Sequence, residues 1–318
     1  MKELRLLVDA SGEGERIDRY LVKELGTSRS QIQRLLQEGR ILLDGERVKA
    51  STRLRGGELL EVSLPPPPPS KVFPEDIPLK VIYKDEEVLV IEKPAGMVVH
   101  PAGRRLSGTL VNALLFHFGE LPPGGMRPGI VHRLDKGTSG VMVVAKSEVA
   151  YASLTRQFKE REVEKEYLAL VFGEMRGDEG EISFPIGMHP HSKKISVRTR
   201  RPKEAITRWR VRERFRGFTL LEVRPITGRT HQIRVHLSAS GHPIVGDPLY
   251  GRKKVRSIGD GLLREKVQGL GRQALHASRI HFRHPSTGKP MEFSSSLPQD
   301  MEEVLEVLRA LYPAAPLR

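Results

Sequence analysis

Short apolar runs separated by turn residues set the rhythm of this chain. Val88–Ile91, Gly140–Ala145, Tyr167–Phe172 and Phe218–Val223 are brief, apolar and bounded by polar or glycine-containing segments, the pattern of buried strands. Helical spacing is rarer. Ser147–Arg161 carries it, and Met301–Leu311 carries it most plainly, with apolar residues at 301, 304, 305, 308 and 311. Several strands with few helices, and no regular alternation of the two, predict an α+β fold with a long, mixed, mainly antiparallel sheet.

The N-terminal part follows another pattern. Arg16–Leu25 and Ser28–Gln37 read as two short helices, the second opened by a capping box of Ser28 and Gln31. Ile41–Val48 then reads as a hairpin around the two-residue turn Asp44-Gly45. Five consecutive prolines, Pro65–Pro69, exclude both a sheet ladder and a helix interior and favour an extended spacer. The predicted organisation is a small domain over residues 1–64, a linker over 65–70 and a larger domain over 71–318.

Composition narrows the partners. A hydrophobic content of 38% supports a core, but no apolar run approaches the roughly 18 residues of a bilayer span, and Met1–Asp18 has no signal-peptide core. A cytoplasmic protein without membrane contact is expected. The absence of cysteine removes disulfides, thiolate metal sites and cysteine nucleophiles together. A net charge of +14 favours nucleic acid or anionic membrane. Between His189 and Arg216, eleven Lys or Arg stand against two Glu without any amphipathic-helix pattern, which selects nucleic acid. Within that segment Arg208, Arg210, Arg212 and Arg214 alternate with Trp209, Val211 and Glu213, so a strand places the four on one face. Such a ladder repels itself without an anionic partner, and phosphate tracking is the expected role; a solvated sheet edge is the alternative.

One carboxylate stands out for chemistry. In Gly129–Lys146, Asp135 occupies a polar turn between two apolar runs, and a second ordered cluster, Thr227-Gly-Arg-Thr-His-Gln-Ile-Arg234, follows in the same basic chain. An Asp-x-Gly turn alone is ordinary. A lone carboxylate among arginines suggests work on an anionic polymer. A phosphate-binding P-loop is excluded because no Gly-Lys-Ser or Gly-Lys-Thr follows these glycines. His231 and His236 lack the His-Glu-x-x-His order of a zinc hydrolase, so no metal is expected.

His-Arg-Leu-Asp-x-x-Thr-Ser-Gly at 132–140 resembles the signature of the RluA-type RNA pseudouridine synthases. Lys93-Pro-Ala-Gly-Met-Val-Val-His-Pro101, Glu164-Lys-Glu-Tyr167, the Arg229 cluster, Gly246-Asp-Pro-Leu-Tyr-Gly251 and Arg272-Gln-Ala-Leu-His-Ala277 fall in the order that family shows. The RluD-like subtype, which acts on large-subunit (23S) ribosomal RNA, is the most similar. The resemblance implies a cleft crossing a long bent sheet, an isomerase without cofactor, and Asp135 as the essential aspartate. It implies further that Arg229 pairs with Asp135, that Tyr167 stacks on the target uracil, that Arg133 fills the gap left by the extruded uridine, and that Ile233 lines the base pocket. The helix, helix, hairpin order with Arg29, Arg34, Arg40, Lys49, Arg53 and Arg55 resembles the S4 RNA-binding domain over about residues 14–64. Arg29, Arg34 and Arg40, with Arg208 and Arg210 of the ladder, are the expected RNA contacts. Competing readings are a synthase for other ribosomal or transfer RNA uridines, and a non-catalytic ribosome-assembly factor on the same fold. Protein partners are not indicated.

Overall fold

The structure, a computed structural model, describes residues 2–25, 29–64, 72–101, 106–122, 126–190, 192, 194–252 and 254–312, without the side chains of 2 and 29–31. The proline linker, the Ser28–Gln31 capping box and the side chain of Arg29 therefore lie outside the described residues. The chain divides into two compact units, Met1–Ser70 and Lys71–Arg318.

In the first unit, strand β1 (Lys2–Leu7) precedes helices α1 (Ile17–Leu25) and α2 (Arg29–Gln37), then β2 (Ile41–Leu43), β3 (Glu46–Arg47) and β4 (Leu59–Leu64). The strands form an antiparallel sheet in the order β1-β4-β2-β3. Asp44 and Gly45 both take positive φ, 49° and 80°, which gives the β2–β3 turn the twist a tight hairpin needs. Ile17, Leu21, Ile32, Ile41 and Leu60 close the core. Wholly buried Asp18 joins the helices, accepting from Arg16 at 3.1 Å and from Gln33 of α2 at 3.2 Å.

The second unit begins with β5 (Lys80–Lys84), β6 (Val88–Lys93), α3 (Leu110–Phe118), β7 (Ser139–Ala145), α4 (Glu148–Glu160) and β8 (Glu164–Phe172). It continues through β9 (Glu179–Ile182), the short pair β10 (Gly187–Met188) and β11 (Ile195–Ser196), β12 (Thr207–Phe215), β13 (Phe218–Pro225) and α5 (Gln232–Ala239). Helix α6 (Gly261–Gly269), β14 (Leu275–Arg283), β15 (Pro290–Ser294) and α7 (Gln299–Leu311) complete it. Among the described residues one nine-stranded sheet runs β5-β6-β7-β14-β8-β13-β12-β9, with β15 also on β14. Its single parallel contact joins β7 to β14, where His276 and Ala277 pair with Ser139 and Gly140.

That contact is the waist of the sheet. Every residue of β7 is buried, as a central strand requires. At Gly140 (φ 119°) a Cβ would lie 2.2 Å from the Ala277 carbonyl oxygen, so only glycine lets the two strands meet. Helix α4 then starts at Ser147, whose hydroxyl accepts from the Ala150 N–H, a cap that contributes about 1 kcal/mol. Helices α3, α5 and α6 exceed the few helices that periodicity predicts.

Candidate active site

Asp135 sits in the turn leading into β7, and segments far apart in sequence hold that turn. The Thr138 N–H donates to the Asp135 carbonyl at 3.0 Å, and the Gly96 N–H to the Lys136 carbonyl at 2.8 Å. The amine of wholly buried Lys93, at the end of β6, donates to the carbonyls of Pro94, Met97 and Lys136 at 2.8, 2.9 and 3.4 Å. Burial, reinforced by Arg272, pulls the Lys93 pKa down to about 7. From the entry to β14, Arg272 donates to the Gly137 carbonyl at 3.2 Å and Gln273 to the Thr138 hydroxyl at 3.0 Å.

Arg234 faces the carboxylate. Its Nη1 donates to Asp135 Oδ2 at 2.9 Å, while Nε and Nη2 donate to the two oxygens of wholly buried Asp247 at 2.7 and 2.9 Å. The bidentate pair fixes the plane of the guanidinium, and the remaining donor edge fixes Asp135. The Tyr250 ring lies against the same guanidinium, 5.2 Å from its carbon. His231 opens α5 with φ 55°, a left-handed conformation that costs a non-glycine residue about 1–3 kcal/mol. Its Nε2 stands 3.8 Å from Asp135 Oδ2 and its Nδ1 3.1 Å from the Tyr250 hydroxyl. Burial outweighs the two nearby aspartates and lowers its pKa.

A cleft of about 590 Å³ opens beside Asp135, lined among others by Arg133, Tyr167, Arg229, Ile233 and Arg234. A second cavity of about 740 Å³ shares Arg133, Asp135, His231 and Arg234 with it, so Asp135 stands between the two. Tyr167 projects from β8 and is 9% exposed. Its hydroxyl has no hydrogen-bond partner among the described residues. Burial, and then the Asp135 charge, push its pKa up, so the phenol stays protonated and free to donate.

The partner of Asp135 is therefore Arg234 and not Arg229. Exposed Arg229 precedes the helix, donating its backbone N–H to Gln232 Oε1 at 3.0 Å and its Nε to the Glu204 carbonyl at 3.2 Å. Arg234, inside the first turn of α5, takes the buried position. The β12 ladder also departs from expectation, because its anionic partners lie within the chain. Arg208 meets Glu181 at 3.0 Å, Arg210 meets Glu179 at 3.4 Å, Arg212 meets Glu222 at 2.7 Å and Arg214 meets Asp178 at 2.8 Å. In the first unit Arg34 and Arg40 share Glu38, at 2.9 and 3.1 Å.

Arg234, Asp247, Tyr250 and Lys93 escaped the sequence reading. All four lay in motifs already in view: Lys93 opens the Lys-Pro-Ala-Gly run, a buried arginine demands a buried carboxylate, and Gly-Asp-Pro-Leu-Tyr supplies one with its aromatic neighbour. Among the described residues no three His, Asp or Glu side chains gather as a metal site, and no helix is long and apolar enough to cross a membrane.

Comparison with known proteins carries the geometry to a family. Residues 87–239 match the RNA pseudouridylate synthase family and residues 15–60 the S4 domain. The chain is 41% identical to an uncharacterized RNA pseudouridine synthase, YlyB, of Bacillus subtilis, over 97% of this chain and 99% of that protein. It is 45% identical to the ribosomal large subunit pseudouridine synthase D of Xanthomonas campestris pv. campestris, over 95% and 92% respectively. The solved structure of human RNA pseudouridylate synthase domain containing 1 is similar at 28% identity with a TM-score of 0.55, covering 73% of this chain and 95% of that one. An isolated carboxylate clamped by a buried arginine and faced by a protonated tyrosine in a basic cleft thus has its family: the chain belongs to the RNA pseudouridine synthases, enzymes that isomerise uridine, and bears an S4 domain at its N-terminal end.

Proposed function

We propose that this enzyme converts uridine to pseudouridine in large-subunit (23S) ribosomal RNA, free or in pre-ribosomal particles of the cytoplasm. The observation that carries the reading is the 45% identity to a ribosomal large subunit pseudouridine synthase D over nearly the whole chain. The S4 match over residues 15–60 supports the first unit as an added RNA contact.

The reaction breaks the bond from ribose C1′ to uracil N1, turns the base and joins C1′ to C5, while a proton leaves C5 and N1 gains one. Atoms and electrons balance without a cofactor. Asp135 is the carboxylate within reach of the reacting centre, and Arg234 holds its orientation. Tyr167 supplies a flat face for the base and a hydroxyl that donates to sugar or base. Arg133, exposed at the junction of the two cavities, is placed to enter the stack as the uridine leaves it.

Mapping pseudouridine in ribosomal and transfer RNA from cells with and without the gene tests the assignment. Loss of modification in large-subunit RNA, restored by the wild-type gene but not by Asp135→Asn, is expected. Loss confined to transfer RNA would overturn the ribosomal target, and restoration by Asp135→Asn would leave only an assembly factor.

A further inference from the structure

The wall of the cleft beside Asp135 carries a cation in unusual circumstances. On β8 the side chains alternate in direction, so Lys165 and Tyr167 share one face and are separated by roughly 7 Å along the strand. Both line the cleft. The neighbouring Glu166 points to the other face, where Arg224 and Arg279 bind its carboxylate. Lys165 is left with no carboxylate and no hydrogen-bond partner among the described residues.

What it does have is a platform. Its Nζ lies 5.7 Å from the centre of the Phe158 ring, and that ring stacks on His132 at 4.7 Å and 22°. His132 accepts from the Val143 N–H through Nε2 at 3.1 Å, which ties the stack to the central strand. Burial lowers the His132 pKa to about 3, so the imidazole is neutral and the ring stack carries no second charge. Burial also lowers the pKa of Lys165, with no carboxylate nearby to offset it. A half-buried ammonium held by a rigid aromatic stack, in a wall it shares with the base-stacking tyrosine, is under-compensated in the free protein. In this enzyme the anion that enters the cleft is the substrate.

We infer that Lys165, held on the Phe158–His132 stack, is the seat of an RNA phosphate next to the extruded uridine, and so helps to set the depth at which the base meets Tyr167 and Asp135. The inference rests on the family's action on RNA and not on the choice of ribosomal RNA. Lys159, exposed in the last turn of α4 and lining the same cleft, extends the positive wall toward the mouth.

The test compares wild type with Lys165→Met, which keeps the contact with Phe158 but not the charge, and Lys165→Arg, which keeps the charge. Dissociation constants are measured from about 50 to 200 mM salt on large-subunit ribosomal RNA and transfer RNA transcripts, with single-turnover rates on whichever the wild type modifies. For Lys165→Met the salt slope should fall by about 0.7 and affinity at physiological salt by about fivefold, whereas Lys165→Arg should keep both. Wild-type slope and affinity in Lys165→Met would overturn the inference. So would a loss in Lys165→Arg as large as that in Lys165→Met, since packing and not charge would then be at issue. If Lys165→Met melts well below wild type, Lys165→Gln carries the same comparison. Failure of the wild type to modify ribosomal RNA, with turnover on transfer RNA, would remove the proposed target and leave the Lys165 result to be read on the transfer RNA.

Discussion

The arginines of β12 and four cations of the cleft belong to the same unit, yet they dispose of their charge in opposite ways; Arg161 and Arg234 of that cleft are ion-paired. On β12 each of the four has a carboxylate at 2.7–3.4 Å, two of them directly across the ladder on β9. In the cleft Arg133, Lys159 and Lys165 have no carboxylate within ion-pair distance among the described residues, and Arg229 has only a backbone carbonyl. A dense run of basic residues is therefore not a measure of available charge. The carboxylates that neutralise Arg208 and Arg210 stand 27 and 31 residues away in sequence, invisible until the strands pair. Exposed pairs of this kind contribute at most about 1 kcal/mol each. Their effect is to let a charged edge join the sheet without self-repulsion.

The contrast can be broken most decisively at the carboxylate. Asp135→Asn should lower the single-turnover rate more than about a thousandfold while leaving RNA affinity within about threefold, because it removes the reacting charge from a cleft whose cations remain. Rate and affinity measured together settle it; activity within tenfold of wild type would place the chemistry elsewhere.

Arg234→Gln should come next. It strands wholly buried Asp247 without its cation, at a cost of about 3–5 kcal/mol, so the melting temperature should fall along with turnover. Arg229→Ala should leave the melting temperature unchanged and turnover within about tenfold, since it removes an exposed side chain bonded to one carbonyl. Equal losses in the two variants would restore Arg229 to the inner site.

Tyr167→Phe separates the ring from the hydroxyl. Turnover should drop by about a hundredfold with affinity unchanged, the range in which a positioned proton donor acts. The smallest effect belongs to the ladder: Arg208→Gln combined with Arg210→Gln should leave the salt slope of RNA binding almost flat against wild type, whereas Arg133→Gln should reduce it by about 0.7. A ladder variant that loses as much slope as Arg133→Gln would return phosphate tracking to β12.

Much of the architecture is legible in the chain because its strands obey simple patterns. The four predicted runs lie within β6, β7, β8 and β13, and the two periodic helices became α4 and α7. Helix α5 is unreadable for a physical reason. Gln232, Arg234 and His236 are polar residues expected to reach solvent, yet all three are buried. Gln232 bonds Thr227, Thr207 and the Ile206 carbonyl, and His236 bonds Thr207 and the Phe184 carbonyl. With polar residues inside, the amphipathic contrast disappears. Helix α3 fails in the opposite sense, being apolar almost throughout. The same burial explains the displaced arginine. Sequence places Arg229 and Arg234 in one motif, and only the start of α5 at Gln232 decides which of them enters the site.

The waist between β7 and β14 also governs when the enzyme can exist as one. Ser139 and His276 are 137 residues apart, and the turn bearing Asp135 is held by Arg272 and Gln273 at the threshold of β14. Contacts so distant in the chain form late, after shorter-range hairpins such as β12–β13. A nascent chain emerging from the ribosome can fold its first unit, and can pair β5 with β6, long before residue 272 has been added. Until then the carboxylate has no fixed address. The last strands to be synthesised are thus the ones that fix the turn bearing the carboxylate.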